Sequence, residues 1–272
     1  MTEFELLLDL HLPAERQGPG GDAETKLALQ LAGLMSDGPG SSESAVSVRN
    51  DSGAGAKGDT RALKIADIGC GTGASTMILA EQLNAEITAV DFLPEFLQEL
   101  EKRAKARKVE HKIRTLESSM DALPFQEKEF DMIWSEGAIY NMGFEAGISA
   151  WKSFLKPGGK LVVSEITWFG ENRPEELDRH WKSEYPEIAV ASAKFQALER
   201  NGFRPLGYFK LPDSCWLDNY YGPMEKRFDA FLEKHDRSED ALAIVEAERN
   251  EISLYRKYSE HFGYGVYIAQ KI

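Results

Sequence analysis

Four stretches of this 272-residue chain carry side chains whose types and spacing suit chemistry. In IWSEGAIYNMGF, Ile133 to Phe144, an apolar run stops on Glu136, and Tyr140 follows one helical turn on if the segment coils, so both can flank one space. In ADIGCGTGAST, Ala66 to Thr76, Gly69, Gly71 and Gly73 allow a sharp turn and a close approach of backbone to a ligand. The helix that opens there directs its first N–H groups at the same place. EITAVD ends on Asp91, and SSMDALPF sets Asp121 between Met120 and Leu123.

An acidic residue at a strand tip can take both hydroxyls of a ribose. An acceptor flanked by apolar side chains suits an adenine amino group, although an aspartate in such a place is also a common turn or cap residue. The glycine stretch satisfies the dinucleotide form G-x-G-x-x-G/A through Gly69, Gly71 and Ala74, so a nicotinamide- or flavin-dependent enzyme competes. Asp67, two residues before the first glycine, tilts the balance: a carboxylate facing the loop repels a pyrophosphate and suits an ammonium group.

Further candidates lie nearer the C-terminus. Trp168, Phe169, Trp216, Tyr220 and Tyr221 can converge as an aromatic cage for an amine or another electron-rich centre that gains positive charge, or can be ordinary core. His180 and His261 lie in regions expected to cover a site and are the candidate bases; His11, His111 and His235 read as surface or strand positions. No cluster has metal-ligand spacing.

The elements that must position these groups are legible from Leu63 onward, where short apolar runs alternate with helix-period segments: KIADI then ASTMILAEQL, EITAVD then PEFLQELEKRAKA, HKIRTLE, FDMIWS then a helix through Trp151, and KLVVSEI. Strands alternating with helices predict right-handed crossovers and a doubly wound α/β sheet. Lys102, Arg103, Lys105, Arg107 and Lys108 suit the solvated face of a helix that carries Phe96, Leu97 and Leu100 opposite. Helices are expected near Pro174 to Tyr185 and Ala191 to Gly202, strands in RPLGYFKLP and YGVYIAQKI, and between those strands a helical lid insertion at about 213–262.

Upstream, residues 1–35 read as a helical cap. It has one helix in Glu3 to Leu12 and another after Asp22, where Leu27, Leu31 and Leu34 recur at helical spacing. RQGPGG between them is a turn, or backbone draped over a ligand. Residues 36–60, rich in Ser, Gly and Asp, read as a flexible linker that joins the cap to a domain spanning 61–272.

Composition narrows the function classes. A formal net charge of -13 supplies no basic stripe for a nucleic acid, so a partner of that kind is not expected. Cys70 and Cys215 are too few for a disulfide framework. MTEFELLLDLHLPAER is acidic where a signal peptide is basic, and no apolar run approaches the roughly 18 residues that span a bilayer, so a cytoplasmic protein without a membrane partner is expected.

In this order and spacing, DIGCGTG, the VD at the second strand end, SMDALPF, FDMIWS and LKPGGKLVVSE resemble the class I S-adenosylmethionine-dependent methyltransferases, over about Leu63 to Phe169. RQGPG, WSEGAIYN, TWF, YPEI and the LP..CW..YY stretch resemble a group of small, mostly uncharacterised bacterial members near the quinone-biosynthesis and small-molecule methyltransferases. The resemblance implies a Rossmann-like seven-stranded sheet whose last strand inserts antiparallel. It also implies S-adenosylmethionine as methyl donor and a small-molecule acceptor.

Carried over by position, it implies that Asp67, Gly69, Gly71 and Gly73 line the methionine end of the cofactor. Asp91 and Phe92 would hold the ribose and adenine, Met120 and Asp121 the adenine, and Ser135 the far side of the sulfonium. Glu136, Tyr140 and His180 are then the candidate catalytic residues. Two other readings stay open: an NAD(P)-dependent oxidoreductase, and a non-catalytic module that binds S-adenosylmethionine.

Overall fold

The structure, a computed structural model, describes residues 2–35 and 61–272; the linker expected at 36–60 lies outside the described residues. Two helices come first, α1 (Glu3–His11) and α2 (Asp22–Leu31). α1 starts on a capping box, in which Thr2 accepts from the Glu5 amide and Glu5 reaches back to the Thr2 amide. Helix α2 forms where expected, but its buried face is Thr25, Ala28 and Leu29, whereas Leu27 and Leu31 are exposed. The leucine period marks the helix and not the side it buries.

The sheet is built from β1 (Leu63–Ile68), β2 (Ala85–Asp91), β3 (Ile113–Glu117), β4 (Phe130–Ser135), β5 (Leu155–Trp168), a two-residue β6 (Ala189–Val190), β7 (Phe203–Lys210) and β8 (Phe262–Lys271). Between them run α3 (Ala74–Gln82), α4 (Pro94–Arg107), α5 (Phe144–Lys152), α6 (Glu175–Glu184), α7 (Ala191–Arg200), and then α8 (Asp213–Trp216), α9 (Gly222–Glu225), α10 (Phe228–Lys234) and α11 (Glu239–Tyr258). The main path orders the strands β3-β2-β1-β4-β5-β8-β7, with β6 beside β5. β1 to β5 pair in parallel and β8 runs antiparallel between β5 and β7. This is the Rossmann-like arrangement, seven strands on the main path and an eighth, very short one.

Both faces of the sheet are covered at its centre, so β1, β2, β4 and β8 are buried along most of their length, whereas the edge strands β3 and β7 are partly exposed. Met132 and Trp134 of β4 face one core with Leu29, Met77 and the insertion's Tyr255; Ile133 faces the other with Ile148 and Trp151 of α5 and Leu198 of α7. The cap and the insertion share the first core: Leu6 and Leu10 of α1 are buried in it together with Ile252 of α11. Helix α4 buries Phe96, Leu97, Leu100 and Ala104 as expected. Arg103 departs from its solvated neighbours, because its guanidinium donates to the carbonyls of Ala14 (2.8 Å) and Glu15 (2.9 Å) and to Thr72 Oγ1 (2.7 Å).

The strand order reverses direction of growth at β1, with β2 on one side and β4 on the other. Sheets of this kind bind ligands in the crevice beyond the carboxyl ends of the strands at such a point.

Candidate active site

The carboxyl ends of β1, β2 and β4 open into a cleft of about 450 Å³. Its floor is the turn after β1. Gly69, Gly71 and Gly73 all have left-handed backbone, with φ of 73°, 54° and 90°. A Cβ on Gly69 would lie 2.3 Å from that of Ala138, so only glycine fits there; one on Gly71 would lie 2.5 Å from Gln17 Oε1 and would displace the end of that side chain. Gly73 does something different: it opens α3 and packs on Leu100, away from the cleft lining.

Asp67 ends fully buried beneath this turn. Its Oδ2 accepts from Thr76 Oγ1 at 2.6 Å and Ser75 Oγ at 3.1 Å, while Oδ1 has no partner. Burial pushes its pKa up to about 7 against the Thr76 hydrogen bond, with the Glu136 and Asp91 carboxylates adding to the rise. Beside it in the sheet, Ser135 at the end of β4 is also fully buried with an unpartnered hydroxyl. Asp91 accepts from the Gly71 amide (2.9 Å) and the Leu93 amide (3.0 Å) and lines the cleft; burial raises its pKa too. Burial likewise pushes the Cys70 thiol up, so this cleft residue stays a neutral thiol.

Phe92, which is 55 % exposed, forms one wall, and Ser118, Ser119, Met120 and Asp121 form another. Trp151 Nε1 donates to the Met120 carbonyl at 3.1 Å, which fixes this second wall against α5. On the third side stand Glu136, Gly137 and Tyr140. The Gly137 amide donates to Ser164 Oγ at 2.7 Å, so the turn after β4 is tied to β5.

Glu136 is engaged by three donors: Trp134 Nε1 (3.0 Å), Thr25 Oγ1 (2.9 Å) and Arg16 (3.3 Å). Two of these come from the cap, and sequence reasoning had not assigned them. Arg16, Gln17, Gly18 and Pro19 line the cleft, so of the two readings of RQGPGG the draped one describes the fold. Gln17 Oε1 accepts from the Thr72 amide (2.9 Å) and hydroxyl (3.0 Å), which seats this strap on the glycine turn. The only local signal was proline between glycines; the partners of Arg16 and Gln17 lie 120 and 55 residues away.

His180 stands on α6, edge-on to Trp181, and does not line the cleft; His261 packs edge-on to Tyr258. The five-aromatic cage does not form. Trp216 stacks on Tyr255 at 4.4 Å, Trp168 packs on Phe262 under the Arg173 guanidinium, Phe169 lies beneath Lys210, and Tyr221 is buried. Trp216, which also packs on Tyr264 of β8 at 4.9 Å, holds the insertion to the sheet. No group of three or more His, Cys, Asp or Glu able to hold a metal occurs among the described residues, and no helix there is long and apolar enough to cross a membrane.

Residues 65–159 match the sequence family described as a methyltransferase domain. A demethylmenaquinone methyltransferase of Thermus thermophilus is 35% identical over 105 residues, 38% of this chain and 47% of that one. The chain spans about half the length of the curated relatives it matches. Among solved structures, a methyltransferase of Geobacter sulfurreducens, in complex with S-adenosyl-L-homocysteine, superposes with a TM-score of 0.69 at 17% identity, covering 78% of this chain and 85% of that one. The [4+2]-cyclase SpnF superposes with 0.68 at 20% identity, covering 92% and 81%. At these identities the superpositions show the shared fold.

Proposed function

We propose that this chain is an S-adenosylmethionine-dependent methyltransferase acting on a small molecule, and that the cleft at the ends of β1, β2 and β4 holds the cofactor. The observation that carries the reading is Asp67: a buried carboxylate with one unpartnered oxygen, under a turn whose first glycine, Gly69, has no room for a side chain. That donor-poor, anionic floor suits an ammonium group and disfavours a pyrophosphate, so it supports an aminoacyl-bearing nucleoside over a dinucleotide. The match of residues 65–159 to a methyltransferase domain supports the same choice.

When bound, S-adenosylmethionine supplies a methyl group on a sulfonium, whose sulfur departs neutral and needs no acid. The residues of the chain then have to bind, align and exclude water. Asp67 takes the ammonium, with Gly69 and Gly71 admitting the backbone of the turn to close contact. Asp91 takes the ribose hydroxyls on the lone pairs that Gly71 and Leu93 leave free. Phe92, Met120 and Asp121 enclose the adenine; Ser135, fully buried and outside the cleft lining, is assigned no direct contact with the ligand. Glu136 acts as a positioning residue that fastens the Arg16 strap across the cleft, and Tyr140 flanks the acceptor. His180 has no part in this assignment.

Calorimetric titration with S-adenosylmethionine, S-adenosylhomocysteine and NAD tests the cofactor, and release of S-adenosylhomocysteine from a mixture of metabolites tests turnover. Micromolar binding of the first two with no response to NAD is expected. Binding of NAD alone would overturn the proposal, and tight S-adenosylmethionine binding without release by any acceptor would favour the non-catalytic module.

A further inference from the structure

On the far side of Gly137 stands β8, with the helical insertion packed behind it. Tyr264 of β8 lies against Gly137, since a Cβ there would stand 3.4 Å from its ring. Trp216 packs on Tyr264 at 4.9 Å and on Tyr221 at 5.9 Å, and Tyr220 lies 5.1 Å from Tyr221. The Tyr221 hydroxyl donates to Glu251 Oε1 at 2.8 Å. Glu251 therefore ends a chain of aromatic contacts that begins at the residue after Glu136.

The placement of Glu251 on its helix is informative. The inward stripe of α11 runs through Ala241, Ile244, Val245, Ile252 and Tyr255. Residue 251 falls three before Leu254 and four before Tyr255, on that side of the helix and not on the outer one. Yet Glu251 is exposed. A side chain that is exposed on the inward face of a helix borders an internal recess.

Tyr140 repeats the pattern from the other side: it is 39 % exposed, but burial raises its hydroxyl pKa, with the Glu251 carboxylate as the next cause. The same carboxylate raises Tyr220 and Tyr264. Three tyrosines thus lie within reach of the charge of one carboxylate, which the Tyr221 hydroxyl holds in place.

No Lys or Arg of the described residues forms an ion pair with Glu251. Burial raises the Glu251 pKa, and His11, which lies 3.2 Å from the neighbouring Glu248, opposes that rise; Arg227 donates to the carbonyls of Leu10 and Pro223. Tyr264 is 8 % exposed, and its hydroxyl has no hydrogen-bond partner among the described residues. A carboxylate without a Lys or Arg partner, in the neighbourhood of three tyrosines, one with an unpartnered hydroxyl, is an environment that stabilises a positive charge by charge attraction and cation–π contact together.

We infer that the recess formed by Tyr140, Tyr220, Tyr264 and Glu251 binds the positively charged nitrogen of the methyl acceptor, which places the acceptor among amines and quaternary ammonium compounds. The word acceptor rests on the methyl-transfer reading above; the cation site does not. It differs from the cage expected from sequence in every residue except Tyr220, because Trp168, Phe169, Trp216 and Tyr221 are taken up in packing.

Choline and its uncharged isostere 3,3-dimethylbutan-1-ol provide the test, titrated calorimetrically into the full chain with and without saturating S-adenosylhomocysteine. Choline is expected to bind at least tenfold more tightly. Glu251→Gln, which keeps an oxygen for the Tyr221 hydroxyl, should cut that preference below about threefold and leave S-adenosylhomocysteine affinity within twofold. Equal affinities in the wild type, or a preference that survives in Glu251→Gln, would overturn the inference. A wild type that prefers choline but ignores S-adenosylhomocysteine would sink the methyl-transfer reading and leave the cation site standing.

Discussion

Asp67 shows how one buried side chain can be set against stability for the sake of a ligand. Its pKa moves from 3.8 to about 7, so the folded protein holds a proton in a window where the unfolded chain has lost it. Stability therefore falls as pH climbs from about 4 to about 7 and levels off above, at a cost on the order of 4 kcal/mol for the ionised form. Asp67→Asn removes that cost. The gain in Tm of the variant over the wild type should be larger at pH 8 than at pH 5, while affinity for S-adenosylhomocysteine drops at least tenfold; a Tm difference that is the same at both pH values would exclude the buried titration. Asp67, the glycines and Asp91 were legible in the sequence because a turn and two strand ends are local. His180 and the aromatic cage were not, since which face of a helix meets which neighbour is decided by packing: Trp216 found Tyr255 across the insertion.

At the scale of elements, the strap from Ala14 to Gly21 is held by donors outside itself. Arg103 on α4 binds two of its carbonyls and Thr72 together, so one guanidinium joins strap, glycine turn and helix. Removing it leaves partly buried acceptors unpaired, at about 1–3 kcal/mol. Arg103→Ala is thus expected to lower unfolding free energy by about that amount in urea, and to make the peptide bonds around residues 14–18 the first to be cut in limited proteolysis. Unchanged cleavage there would show that Gln17 and Glu136 suffice to hold the strap. The basic run on α4 read as a solvated face because four of its five members are one; nothing adjacent in sequence distinguishes the fifth. For the same reason α2 was recognised while its buried side was not: leucine spacing defines a helix, but the small residues Thr25 and Ala28 allow the close approach to the sheet.

Across the whole molecule, the alternation of apolar runs and helical periods was enough to give the sheet its class, because parallel strands covered on both faces leave a strong hydrophobic signature. What that alternation could not give is the union of cap and insertion in one core with the sheet, which depends on Leu6, Leu10 and Ile252 meeting. The position of β8 has a consequence in time. The partners Thr167 and Tyr267 are 100 residues apart, and β8 has to enter between two strands already on either side of it. β1 to β5, by contrast, close through short successive units, and contacts near in sequence form sooner than distant ones. Pulse-labelled hydrogen exchange during refolding should therefore protect the amides of β1 and β4 before those of β8; simultaneous protection would refute the order. The glycine turn with its two aspartates would then be assembled while the tyrosine recess is still open, so a half-folded chain meets the nucleoside first, and the nucleoside acts as a scaffold for the remainder.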